Sequence, residues 1–329
     1  MKKQKLILPA LLLAASLLLS SCSLAGKDVR FSVGNAMSTA FQIGDMKCPR
    51  EEAYVYLLNY KNLYSTIEDQ NLWAGLFDKS RLTSSLKTSC IDILSEVYIL
   101  NLYAKDKGIE LSDTDTDKLT TAAKEYYESL TDEEKKFCSV REKDICEMYT
   151  RYALAEKVYS TLMETVDEEV SEDEARIIRA YVLHTTDAAA ATAAEAALAA
   201  GTSFDTVLST YGEGDKTEQA FGRNTYPADV EDVIFRLEND EVSPLIVSGN
   251  DYYIVHCISK YDETLSEENK TKILANRKNN VLTELFQTSD DKYYSRINKT
   301  FWESVSLSPE TDGMETKTFF LILDKYYKY

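Results

Sequence analysis

Proline and glycine are scarce, at 5 and 11 in 329 residues. Average usage of the two is together about 12%. So few chain breakers disfavour a many-turned β sandwich and favour long helices. Histidine is scarcer still, with His184 and His256 alone, which leaves little material for a zinc enzyme or a His-dependent hydrolase. The six cysteines form no C-x-x-C pair. Setting Cys22 aside, Cys48, Cys90, Cys138, Cys146 and Cys257 are odd in number and unlike a disulfide framework or a zinc site. Basic clusters are absent, and 37 Lys and Arg face 55 Asp and Glu, a net charge of −18. Phosphate neutralisation needs clustered cations, so the composition argues against nucleic acid as a partner. Apolar residues make up 44%, enough for packed cores.

The first 22 residues bear on compartment. Lys2, Lys3 and Lys5 form a basic start, and residues 6–19 are apolar except for Pro9 and Ser16. Such a run is too short to span a bilayer and fits a secretory signal. It ends in Leu19-Ser20-Ser21-Cys22, which resembles a bacterial lipobox. That resemblance implies cleavage before Cys22 and lipid on its thiol, so that residues 1–21 are a signal peptide. Loss of three lysines takes the charge from −18 to −21.

Residues 22–48 read as a lipid tether with a first strand, Phe31-Ser32-Val33 and Phe41-Gln42-Ile43 alternating before the Gly44-Asp45 turn. Residues 49–170 read as helical. Apolar spacing predicts helices over 53–63, 82–106 and 141–164, with a polar helix from Ser112 to Ser129 opened by a capping-box pattern at Ser112 and Asp115. Asp113, Asp115 and Asp117 suggest an EF-hand start, but Lys118 and Lys124 stand where the loop needs its glycine and its bidentate glutamate. No metal site and no cofactor is implied.

After an acidic connector at 167–174 the pattern changes. Residues 176–184 read as a strand, Asp187 caps an alanine-rich helix ended by Gly201, and Ser203 opens a second helix. Phe221-Gly222-Arg223 leads to a third helix behind Pro227. Two strands, 242–247 and 252–258, meet at Gly249-Asn250. The order β-α-α-(β)-α-β-β is a compact α/β domain over 171–263.

This stretch resembles the parvulin-type peptidyl-prolyl isomerases. The resemblance rests on Ile177-Ile178-Arg179-Ala180-Tyr181-Val182-Leu183-His184, on Ala199-Ala200-Gly201-Thr202-Ser203-Phe204, on Phe221-Gly222-Arg223 with Glu231-Asp232-Val233-Ile234-Phe235, on Glu241-Val242-Ser243-Pro244, and on Tyr252-Tyr253-Ile254-Val255-His256. With the preceding helices and the lipobox it extends to the PrsA/SurA-like foldases. It implies an α+β fold, in which a mainly helical chaperone lobe is built from N- and C-terminal segments around an inserted parvulin-like domain. Residues 264–308 would supply the C-terminal helix of that lobe. The resemblance also implies, as partners, unfolded or proline-containing secreted polypeptides, and the membrane through the lipid on Cys22. The tail at 309–329, with apolar residues 319–323, has no counterpart in it. That run either adds an element to the body or docks a partner.

Rotation about a prolyl amide faces a barrier of about 18–20 kcal/mol, and no bond to substrate has to form. A catalyst needs an apolar cup for the ring and preorganised polar groups that favour the twisted amide. Parvulins supply two His, a Cys or Asp, and an apolar Met/Phe pair. By the resemblance, the His positions fall on Val182 and Tyr253, and the apolar pair falls on Tyr226 and Val230, which would bind substrate. Glu213 and Asp215 lie in the loop that would hold the acid, unaligned. His184, two residues beyond Val182, shares its strand face about 7 Å further along and is a possible functional residue. Val182 opposite Tyr253 would set His184 opposite Asp251 and His256 opposite Arg179, keeping the two His apart. Three readings stay open: a membrane-anchored extracytoplasmic foldase with a degenerate isomerase domain, an active isomerase with an unusual site, and a scaffold or solute-binding lipoprotein.

Overall fold

The structure, a computed structural model, describes residues 31–33, 38–67, 70–71, 79–307, 311 and 313–328. The expected signal segment, Cys22 and the start of the tether lie outside the described residues. The chain forms two compact units, Met1–Thr165 with Asn280–Tyr329, and Val166–Asn279.

In the first unit, strands β1 (Phe31–Val33), β2 (Thr39–Ile43) and β3 (Met46–Pro49) precede helix α1 (Arg50–Leu63). Pro49 enters the helix at φ −62°, the angle its ring imposes and a helix start accepts. Most of α1 is buried on every side, Glu52 and Asn59 included, so it is a core helix and shows no amphipathic stripe. A small hairpin, β4 (Thr66–Ile67) and β5 (Gln70–Asn71), leads to α2 (Lys79–Lys107). Gly108 stops α2 at φ +66°, where only glycine is unstrained. Helix α3 (Asp113–Ser129) starts in the expected Ser112–Asp115 capping box. A second capping box, Thr131 with Glu134, opens α4 (Asp132–Cys138), a helix that apolar spacing does not reveal. The longest buried stripe follows in α5 (Glu142–Met163). Glu52, fully buried, joins three of these helices: Arg151 of α5 holds its carboxylate at 2.7 Å, and the Tyr98 hydroxyl of α2 donates to it at 2.7 Å.

The second unit opens with a short helix, α6 (Glu172–Ala175), capped by Ser171 in what reads as an acidic connector. Strand β6 (Ile178–Thr185), helices α7 (Ala188–Ala199) and α8 (Phe204–Tyr211), strand β7 (Gln219–Phe221), helix α9 (Ala228–Ile234), and strands β8 (Ile246–Ser248) and β9 (Asp251–Ser259) follow. The sheet order is β7-β6-β9-β8, with every pairing antiparallel. One face carries Ile178, Ala180, Val182, Tyr253, Val255 and Cys257 against Val230 and Ile234 of α9. The other carries Leu183 and Ile254 against Ala194, Phe204, Val207 and Leu208 of α7 and α8. The strand expected over 242–247 is displaced to β8. Pro244 cannot donate to a ladder, and Val242 keeps a single bridge to His256. Arg277 donates to the carbonyls of Asp167 and Glu169 and clasps Glu174, so the chain enters and leaves this unit within reach of one side chain.

Helix α10 (Glu263–Lys292) returns the chain to the first unit, where β10 (Ser295–Ile297), α11 (Lys299–Ser304) and α12 (Phe319–Tyr326) complete it. Strand β10 inserts between β1 and β2, parallel to the first and antiparallel to the second. Trp302 donates to the Ala40 carbonyl at 3.1 Å, and Asn298 to that of Thr39 at 2.8 Å. The apolar run at 319–323 is therefore a helix of the body. Phe319 is fully buried among Tyr56, Tyr126 and Tyr149.

Candidate functional site

The described cysteines Cys48, Cys90, Cys138, Cys146 and Cys257 are free thiols. No cluster of three or more His, Cys, Asp or Glu able to hold a metal occurs among the described residues. Nor is any helix among them long and apolar enough to cross a membrane. The positions that the family resemblance singles out, Val182, Tyr226, Val230 and Tyr253, meet on the α9 face of the second unit.

There the sheet and the loop before α9 set four rings in series. Phe221 of β7 meets Tyr226 edge-on at 4.9 Å, Tyr226 meets Tyr253 of β9 edge-on at 6.0 Å, and Tyr253 meets His184 of β6 at 4.9 Å. Loop geometry positions Tyr226. The buried Glu231 carboxylate accepts from the amides of Thr225 and Tyr226 at 2.8 and 3.0 Å. Asn224 takes φ +66°, a conformation that asparagine tolerates better than most residues. A β-carbon at Gly222 would stand 2.9 Å from Ile177 Cδ1, a methyl that would have to turn aside. Arg223 lies over the Phe235 ring at 4.0 Å and holds both oxygens of Asp173. The Tyr226 hydroxyl donates to Gln219 Oε1 at 2.8 Å.

Beneath the rings the floor is dry and apolar. Val182 is 4% exposed and Val230 is 0% exposed. The substrate wall expected at Val230 is thus core, because α9 turns that side chain into the sheet, and Tyr226 alone of the expected pair reaches the surface. The polar groups at the mouth are the Tyr253 hydroxyl and a His184–Asp251 pair, with Nε2 2.7 Å from Oδ1. Burial raises the pKa of the Tyr253 phenol, with Asp251 and Asp229 adding to the effect, so it remains a neutral hydroxyl. Burial likewise raises that of Tyr226.

The register corrects one expectation. Val182 pairs with Val255, His184 with Tyr253, and Tyr181 with His256. Val182 therefore does not stand opposite Tyr253, His184 is not paired with Asp251 in the ladder, and His256 is not opposite Arg179. A two-residue slip preserves both faces, so apolar alternation cannot distinguish the two registers. His256 packs on Phe204 on the far face at 5.3 Å, apart from His184. Glu213 accepts from the Thr185 hydroxyl at 2.8 Å, and strand alternation places Thr185 on the face opposite Val182. Asp215 accepts from the Thr217 amide and hydroxyl. No role was read for Gln219, Glu231 or Asp251 in sequence: strand pairing brings Gln219 and Asp251 to the site, and the start of α9 brings Glu231.

A four-stranded antiparallel sheet with two helices on one face and one on the other, entered by a buried strand and closed by a hairpin, defines a parvulin-like domain. Residues 164–269 match the family described as the PPIC-type PPIASE domain, and this segment belongs to that parvulin-type family. Among solved structures, the chain is similar to a peptidylprolyl isomerase (PrsA) from Bacillus cereus, at 17% identity over 75% of this chain and 95% of that one, with a TM-score of 0.35. It is similar to a peptidylprolyl isomerase (PrsA) from Bacillus anthracis at 20% identity over 61% and 97% of the two chains, TM-score 0.30. A SurA-like chaperone structure from Campylobacter jejuni shares 10% identity over 68% and 95%, TM-score 0.26. No curated protein matches the chain.

Proposed function

We propose that this protein is an extracytoplasmic foldase, anchored by lipid on Cys22, that holds unfolded secreted polypeptides and carries a degenerate prolyl isomerase domain. The observation that carries the reading is the apolar floor of the PPIC-type domain: Val182 and Tyr253 occupy the positions that the family resemblance gives to its His pair, and both are buried. Tyr226 and Tyr253, edge-on at 6.0 Å, offer aromatic surface to a proline ring, without two imidazoles beside the amide. That surface and desolvation bind; the groups that would favour the twisted amide are reduced to one phenol and the His184–Asp251 pair. That pair supports a second reading, an active isomerase using His184 at the rim.

Two assays on the mature protein test the proposal. Suppression of aggregation of a denatured secreted enzyme, together with proline-peptide isomerisation at or near the uncatalysed rate, is the expected result. Isomerisation comparable to that of a parvulin with both His, lost in His184→Ala, establishes the second reading. Failure in both assays points to the scaffold or solute-binding lipoprotein.

A further inference from the structure

The C-terminal segment of the first unit is held as a bound peptide is held. Buried side chains of the helices around it are spent on its main chain. Glu134 of α4 accepts from the amides of Glu315 and Thr316 at 3.1 and 2.9 Å. Asn62 of α1 donates to the Thr316 carbonyl at 2.8 Å, and Asn59 accepts from the Phe319 amide at 3.2 Å. Tyr149 of α5 donates to the Phe319 carbonyl at 2.7 Å. Each of these four side chains is at most 4% exposed. The segment's side chains are held as well: Phe319, Phe320, Ile322, Leu323 and Tyr327 are buried, the Thr316 hydroxyl donates to Glu134, and Lys325 and Tyr326 meet Glu125 at the rim. Grips on the main chain beside sockets for adjacent aromatic rings are the means by which a groove takes a peptide with aromatic anchors.

The fit is also incomplete. Asn59 Nδ2, the Tyr56 hydroxyl and the Thr318 hydroxyl are buried without a hydrogen-bond partner. Asn59 and Tyr56 belong to the groove and Thr318 to the segment that fills it. A buried donor left unmet costs about 1–3 kcal/mol, so this segment occupies the groove below the affinity its walls could give.

We propose that the groove between α1, α3, α4 and α5 is a peptide-binding site, and that residues 314–327 fill it as an intramolecular ligand displaced by an unfolded chain bearing adjacent aromatic residues. The inference rests on the foldase reading and adds a place and a gate: a client binds where the protein's own tail lay.

The test uses the full mature chain and a fluorescein-labelled peptide of the sequence of residues 313–328. Phe320→Ala empties the socket formed by Tyr56, Tyr60 and Tyr152 without touching the groove. The expected result is peptide binding at least tenfold tighter to Phe320→Ala than to the unaltered protein, and none by a peptide with both phenylalanines replaced by alanine. In the unaltered protein, the amides of Phe319 and Ile322 should exchange hydrogen at least 100-fold faster than that of Leu94. Equal peptide affinity for the two proteins, exchange as slow as that of Leu94, or loss of the fold in Phe320→Ala overturns the proposal, each making the segment a fixed part of the core. Aggregation suppression by the unaltered protein separates the two claims: if it persists when the peptide experiment fails, only this inference falls.

Discussion

Glu134→Gln is the sharpest probe of how the C-terminal segment is tied to the first unit. The carboxylate is fully buried and takes four donors: the amides of Glu315 and Thr316 on one oxygen, and the Thr131 amide and Thr316 hydroxyl on the other. Glutamine keeps the shape and turns one acceptor into a donor. The less costly orientation puts the new NH2 where Thr131 and Thr316 donate, because the Thr316 hydroxyl can rotate to accept while the Thr131 amide cannot. One bond to a charged acceptor is then lost, worth about 1.5–3 kcal/mol, and the remaining bonds lose charge assistance. The expected destabilisation is about 2–4 kcal/mol. Thr316→Val removes a single hydroxyl whose partner keeps three donors, and should cost about 1 kcal/mol. Trp302 is buried in the first unit and residues 166–279 hold no tryptophan, so tryptophan fluorescence follows the first unit's urea transition with the other silent. A Glu134→Gln midpoint unchanged within error would refute the reasoning, as would a double variant whose cost is the plain sum of the singles, since two groups sharing a bond must couple.

Four further outcomes are expected. Burial, with Asp324 nearby, pushes the Glu156 carboxyl up to about 8. The folded state then keeps a proton that the unfolded chain releases above about 4.3, so its contribution declines from there until pH about 8 by up to ~1.4 kcal/mol per pH unit; burial pushes Glu96 up to about 8 as well, so tryptophan-monitored melting should show the sum of the two declines and Glu156→Gln should remove about half of it. Val182→His with Tyr253→His should raise prolyl isomerisation by at least tenfold, and no gain would show that Tyr226 closes the cup. Replacing residues 166–279 by a flexible linker should leave helical circular dichroism and the tryptophan melting transition of the first unit in place, since entry and exit lie within reach of Arg277; an unfolded product would refute two-unit independence. Cys22→Ala should abolish metabolic labelling with palmitate and release the protein from membranes, an expectation that persistent labelling would defeat.

The elements most legible in sequence were those whose local signals agree. The Ser112–Asp115 cap and the α5 stripe are such cases, and each is found where it reads. Helix α4 was missed because seven residues hold too few apolar positions to show a period, although Thr131 and Glu134 spell a capping box. Helix α6 was hidden by its charge, which at a helix start is favourable. At the site, the residue types could be read and their company could not. That His184 faces Tyr253 and bonds Asp251 depends on a register that pattern alone leaves free by two residues. The burial of Val230 depends on the pitch of a seven-residue helix against the sheet. The tie between Glu134 and Thr316 spans 182 positions, and no local rule reaches that far.

Order of synthesis gives the docked C-terminal helix a further meaning. The ring that sits among Tyr56, Tyr126 and Tyr149 is at position 319 of 329. Ribosomes add about 5–20 residues per second, so roughly 10–30 s separate the appearance of α5 from that of Phe319. During that interval the intervening unit has all its strands and can fold, while the N-terminal helices wait with an aromatic trench facing water. Every newborn copy thus passes through a sticky adolescence in which it is itself the kind of chain that needs a chaperone.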